Sequence, residues 1–216
     1  MNTKYCEFPN WKPELWNENI PKDIKKFTNC YSYALNRFEF NHTKKLQPGE
    51  INGKKYDKID CDVIIEHIKK DLNRNDIYLT TFDSKLNCLQ RKIALTIDVN
   101  SKKKDYHFYR EDNNKTWSHK PGSSDVTNKD ASNNIIYNPE KADRDYSHKK
   151  YKNNNGKISD GKNYSIFCGF IALPINNAPI IKDWDNTSEY QINNTINESI
   201  MNINDEYQMN IFKNLL

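Results

Sequence analysis

Asp105-Tyr106-His107-Phe108-Tyr109-Arg110, followed beyond a polar turn by Trp117-Ser118-His119-Lys120-Pro121-Gly122, decides how this chain is read. A histidine sits inside a short aromatic strand pattern. Alternate residues of a strand share a face, so His107 goes with Tyr109, and Tyr106 with Phe108. The turn is Glu111-Asp112-Asn113-Asn114-Lys115, with Lys115 where glycine would suit a tight hairpin better. The pattern predicts antiparallel strands over 106–110 and 116–119, with His119 on the partner strand.

Upstream, Asn29-Cys30-Tyr31-Ser32-Tyr33-Ala34-Leu35 reads as the start of a helix. Thr28 can cap it, and Tyr31, Ala34, Leu35 and Phe38 recur at helical spacing. Gln47-Pro48-Gly49 to Gly53 reads as loop. Asp62 can cap a second helix, with Ile64, Ile65, Ile68 and Leu72 as its apolar stripe. Strands are predicted over 77–82 and 92–99, and a closing strand runs from Tyr164 to Leu173, ended by Pro174. The expected class is α+β, a helix carrying Cys30 packed on an antiparallel sheet. Residues 1–27 read as an irregular lead-in pinned by Trp11 and Trp16. The body is 28–175, with a polar surface excursion at 122–162 that touches down at Ile135-Ile136-Tyr137. Residues 176–216 form a tail, helical over 192–215.

A chain of 216 residues can hold one well-cored domain. Only 36% is hydrophobic and mean hydropathy is −1.00, yet 13 Tyr, 9 Phe and 4 Trp supply core bulk. The net charge of +4 comes from dispersed lysines, which argues for a solvated surface and against a nucleic-acid partner. Five cysteines, Cys6, Cys30, Cys61, Cys88 and Cys168, form no Cys-x-x-Cys pair. The odd count and wide spacing point to a reduced, intracellular setting. Neither a signal core nor a membrane span is visible, so the expected location is cytoplasmic, with virion or host-cell delivery as alternatives.

A cysteine at a helix start, a histidine on a strand and a polar group on the next strand are the parts of a thiol nucleophile site. Helix-terminal N–H groups and an imidazole are expected to lower the Cys30 pKa. His107 would act as base and then acid, with His119 orienting it. Backbone N–H groups at the start of the Cys30 helix would line an oxyanion hole. The blander readings are a buried small hydrophobe for Cys30, a core histidine for His107 and a surface histidine for His119. Zinc held by Cys30, His107 and His119 is a sharper rival, but no compact ligand spacing and no His-Glu-x-x-His supports it. No cofactor is expected. Cys61, Cys88 and Cys168 read as structural, and His42, His67 and His148 as solvated.

At these residues the chain resembles the NlpC/P60 and CHAP group of papain-like cysteine hydrolases. His107-Phe108-Tyr109, Trp117-Ser118-His119 and Pro121-Gly122-Ser123-Ser124-Asp125-Val126 follow the NlpC/P60 order of strand His, third polar residue and Pro-Gly-Asp-Val-like segment. Asn29-Cys30-Tyr31-Ser32-Tyr33-Ala34 is similar to the Gln-Cys-Thr-x-Tyr-Ala start of CHAP domains. From about Trp11 to Cys168 the chain also resembles a bacterial and large-DNA-virus family. That family shares Asn-Cys-Tyr-x-Tyr-Ala, Asp-Tyr-His-x-Tyr-Arg, Trp-Ser-His-Lys-Pro-Gly and Phe-Cys-Gly. The chain departs from NlpC/P60 at Asn29-Cys30-Tyr31, where Asp-Cys-Ser is usual, and in its bulky Tyr106 and Phe108.

The resemblance implies a papain-like half and a cysteine hydrolase of the amidase or peptidase type, with Cys30, His107 and His119 as catalytic residues. Its substrate would be a peptide or other amide. The alternatives are an acyltransferase on the same site, or a non-catalytic binding or virion component on a hydrolase-like fold. The sequence leaves the oligomeric state open.

Overall fold

The computed structural model describes residues 11–18, 22–40, 44–74, 76–87, 89–152, 158–174 and 180–183. Its centre is an antiparallel sheet of five strands in the order β2-β8-β3-β4-β5. These are β2 (Tyr78–Thr80), β3 (Gln90–Asp98), β4 (Asp105–Glu111), β5 (Trp117–Ser118) and β8 (Ile166–Pro174). The longest, β3 and β8, lie side by side in the middle, where Ile, Leu, Ala and Phe can be buried on both faces. The class is α+β, with few helices.

One face carries Ile93, Leu95, Ile97, Tyr106, Phe108, Ile171 and Leu173. It is covered by α3 (Cys30–Ala34) and α4 (Cys61–Leu72), whose Ile64, Ile65 and Ile68 are buried as their stripe predicts. Asp60 caps α4, accepting from the N–H groups of Asp62 and Val63, two residues before the expected cap. The other face carries Ala94, Tyr109, Trp117 and Phe170, covered by Ile136 from the 122–162 excursion. The excursion is therefore packed cover. It also buries Val126, Ala131 and Tyr146, while Ile135 and Tyr137 are exposed.

The lead-in is more ordered than its prolines suggest. It forms α1 (Pro13–Asn17) and α2 (Lys22–Phe27), and Trp16 packs edge-on against Tyr33 at 4.8 Å. Pro13 fits the first helical position because the N–H it lacks would be unbonded there. The Cys30 helix is shorter than its apolar spacing predicts. Asn36 adopts φ +53, and β1 (Arg37–Phe40) follows, pairing in parallel with β9 (Ile180–Asp183). A pair of short strands, β6 (Lys150–Lys152) and β7 (Ile158–Asp160), extends the excursion. The predicted helix over 192–215 lies outside the described residues.

The cysteines correct the reduced-thiol expectation. Cys61 and Cys168 form a disulfide with Cα atoms 5.4 Å apart. A β-bulge makes this possible. Leu95 pairs with Gly169 but Thr96 pairs with Phe167, so Cys168 is the unpaired extra residue. The bulge turns Cys168 toward the helical face, and Gly169 takes the φ of +136 that the bend requires. Cys30 is a free thiol, while Cys6 and Cys88 lie outside the described residues. His67 is buried on α4 and not solvated as expected. His148 is exposed, and His42 lies outside the described residues.

Candidate functional site

The short helix that carries Cys30 is held by side chains of its own motif. Asn29, not Thr28, is the cap. Its Oδ1 accepts from the Ser32 N–H at 3.0 Å, and its Nδ2 donates to the Leu46 carbonyl at 2.7 Å. Tyr31 donates to Asp71 at 2.7 Å, and Asp71 also accepts the N–H groups of Gly49 and Asn52. Tyr33 receives a bond from Arg110 at 2.8 Å and shares one of 2.6 Å with Ser118. Arg110, at the end of the Asp-Tyr-His-x-Tyr-Arg strand, is paired with the buried Asp112 and lies 4.0 Å over the Tyr33 ring. A five-residue helix gains little from its own hydrogen bonds, so these anchors fix where Cys30 stands.

The two predicted histidines meet. His107 Nε2 lies 2.7 Å from His119 Nδ1, in a buried contact. His119 Nε2 lies 2.9 Å from the Lys129 carbonyl oxygen. A carbonyl only accepts, so His119 carries its proton on Nε2. Its Nδ1 is then the acceptor, and His107 donates from Nε2. The Nδ1 of neutral His107 is left with an open lone pair. Burial, with His119 alongside, holds the His107 pKa well below 6.5, and burial pushes His119 down to about 4. Both rings are neutral at pH 7. The facing Nε2 and Nδ1 leave no shared point for a metal between the rings. Among the described residues, no cluster of three His, Cys, Asp or Glu could hold one.

Cys30 reaches the same strand from the helical side. The strand β5 pairs with Arg110 and Glu111, so among the described residues the edge of β4 from Asp105 to Tyr109 has no strand beside it. The backbone N–H groups of Phe108 and Tyr31 act to lower the pKa of the Cys30 thiol. Ser32 and Tyr33 spend theirs on Asn29, which leaves few first-turn donors for an oxyanion. The structure does not join Cys30 to His107 by a hydrogen bond. Nor is the thiol acidified as its helix position suggests. Burial and the Asp105 carboxylate push its pKa up to about 12, outweighing those N–H groups and Lys45.

A cavity of about 590 Å³ opens beside the histidines. His107 and His119 line it with Tyr146, Tyr164, Lys45 and Asp105, and Pro121 to Ser124 form one rim. Ring centroids of Tyr109 and Tyr164 both lie 5.1 Å from His107. Sequence patterning does not mark Lys45, Asp105, Tyr146 and Tyr164 as site residues. For Asp105 a signal was present, since it opens the quoted strand beside His107. Lys120, in the second quoted stretch, is buried and donates to the carbonyls of Lys25, Gly122 and Ser124. Burial and the charges of Lys45 and Lys25 lower its pKa to about 7.

Among proteins similar to this chain is insoluble matrix shell protein 1 of Ruditapes philippinarum. It is 35% identical over 135 residues, which make up 62% of this chain and 80% of that protein. No protein-family model matches the chain, and no solved structure matches it.

Proposed function

This chain belongs to the family of insoluble matrix shell protein 1, and we propose that within it Cys30, His107 and His119 form a thiol–imidazole site that cleaves peptide or amide bonds. The observation that carries this reading is the relay from His107 Nε2–H to His119 Nδ1 and from His119 Nε2–H to the Lys129 carbonyl. It fixes one tautomer of His107 and leaves Nδ1 as a base on the wall of a cavity. A core histidine satisfied for packing alone has no need of a second, oriented histidine behind it.

The reaction starts from two neutral groups. The Cys30 sulfur attacks the substrate carbonyl carbon as its proton passes to His107 Nδ1. The imidazolium keeps its Nε2–H bond to His119 and returns the Nδ1 proton to the leaving amine as the C–N bond breaks. Water then attacks the thioester carbonyl, His107 takes a proton from it, and the sulfur leaves with that proton. An acceptor other than water at this last step would make the same site an acyltransferase. The raised Cys30 pKa opposes a standing thiolate, so proton transfer must accompany attack.

A second reading has its own support. The relative is named as a matrix shell protein, and Cys30 is only 6% exposed with a weakly acidic thiol. On that reading the chain is a non-catalytic matrix or binding component on a hydrolase-like fold. Either way, the Cys61–Cys168 disulfide and the relative's name support an oxidising location outside the cytosol.

The two readings part in one experiment. The purified chain is incubated with a diverse peptide-amide library, and products are identified by mass spectrometry. The hydrolase reading expects cleavage that falls at least about a thousandfold in both Cys30→Ala and His107→Ala, with no further loss in the double variant. Melting temperatures should stay close to that of the parent. No cleavage by the parent, or equal cleavage by Cys30→Ala, selects the matrix-component reading.

A further inference from the structure

Among the described residues three lysines stand on the wall of the cavity, and two are already engaged. Lys26 lies over the Phe27 ring at 5.2 Å. Lys162 donates to Ser101 Oγ at 2.8 Å and to the Lys103 carbonyl. Lys45 is different. Its ammonium forms no ion pair or hydrogen bond with any described residue. Its Nζ lies against Gly122, within 3.4 Å of where a Cβ would stand, on a glycine held at φ +55.

Its position is tied to the nucleophile. The carbonyl of the next residue, Leu46, accepts the bond from Asn29, the cap of the Cys30 helix. The charge of Lys45 acts on the Cys30 sulfur, with Asp105 and the buried Lys120 also near both, and Lys120 spends its donors on backbone carbonyls. Asp105 is a weak counter-ion for it. Its carboxylate is committed to the Tyr106 N–H at 2.9 Å and the Tyr164 hydroxyl at 3.2 Å. A half-buried ammonium on the cavity wall, with no anion of its own among the described residues and with its charge acting on the Cys30 thiol, is a ready seat for a substrate's negative charge.

We propose that Lys45 is the specificity-determining residue of the Cys30 site, holding a carboxylate that the substrate carries next to its scissile amide. The inference rests on the thiol–imidazole reading and narrows its substrate class to carboxylate-bearing peptides or amides. A neutral substrate of the same shape would leave Lys45 desolvated and unpaired, and that cost supplies the discrimination.

The test uses two alkylating reagents of nearly equal size, anionic iodoacetate and neutral iodoacetamide. Each forms an S–C bond at Cys30 with loss of iodide, and the thiol proton passes to solvent. Rates at Cys30 are read by peptide mapping in the native, disulfide-bonded protein. The ratio of the iodoacetate rate to the iodoacetamide rate should fall about tenfold in Lys45→Met and Lys45→Gln at low salt. Lys45→Arg should keep most of it, Lys69→Met, which removes an ammonium paired with Glu66 on α4, should not change it, and added salt should narrow the difference. An unchanged ratio in both neutral variants, with Cys30 still alkylated, overturns the role of Lys45 and leaves the nucleophile assignment standing. A Cys30 refractory to both reagents overturns both, because the cavity then fails to reach the sulfur.

Discussion

His119 shows how burial and one hydrogen bond set a residue's chemistry. Its ring is enclosed, its Nε2–H is spent on the Lys129 carbonyl, and its pKa is pushed down to about 4. The folded state therefore holds His119 neutral where an unfolded chain would protonate it near pH 6.5. Between these values the unfolded state binds more protons, so this contribution to stability is present above pH 6.5 and is lost as pH falls toward 4. The change amounts to about 3 kcal/mol for a shift of this size. His107 is shifted downward with His119 and acts with the same sign, while Asp105 and Asp112 are shifted upward by burial and act with the opposite sign, so the comparison is made against a variant that keeps all three. The unfolding free energy of the parent minus that of His119→Asn should shrink by about 3 kcal/mol between pH 7 and pH 4. A difference that stays flat over that range would remove the buried neutral histidine from the account. The same residue marks a limit of the sequence reading. Spacing placed His119 across the turn from His107, but the Lys129 carbonyl that fixes its tautomer comes from a loop that periodicity does not describe.

Among the elements, legibility followed burial pattern. The strand β3, with Ile93, Leu95 and Ile97 on one face, and helix α4, with its isoleucine stripe, were visible because each buries a regular set of side chains. The Cys30 helix was harder to bound. Tyr31, Ala34, Leu35 and Phe38 continue a helical period past the true end, and the stop at Asn36 is a left-handed turn that asparagine tolerates. The helix is set by contacts remote in sequence, Asp71 for Tyr31 and Arg110 with Ser118 for Tyr33. The acidity expected of Cys30 is absent for a related reason. A helix start favours a thiolate, but the desolvation that opposes it depends on packing, which local sequence does not record. The polar excursion read as loop for want of periodicity, yet it places Ile136 and Tyr146 over the histidine face.

For the whole molecule, the disulfide joins the start of α4 to the bulge of β8 across a sequence separation of 107. Sequence alone favoured free thiols, because neither cysteine has a paired neighbour and the bulge that aims Cys168 is a matter of register. Closing so long a loop restricts the unfolded chain, with an expected contribution of about 4 to 5 kcal/mol. Replacing Cys61 and Cys168 together by alanine should lower the urea-unfolding free energy by roughly that amount. The β3–β4 face and the His107–His119 contact should remain. An unchanged midpoint would mean the link is absent from the native protein. No helix among the described residues is long and apolar enough to cross a membrane.

In the proposed site Cys30 and His107 act as one unit. The most direct measurement is the intact mass of the native protein after exposure to a panel of peptidyl vinyl sulfones at pH 7.5. These add covalently to a thiol once a base removes its proton. A thiol–imidazole pair gives a single adduct, mapped to Cys30, that is lost in Cys30→Ala and slowed at least about a hundredfold in His107→Ala. Equal labelling of the parent and His107→Ala, or no adduct on the parent with any member of the panel, would contradict it.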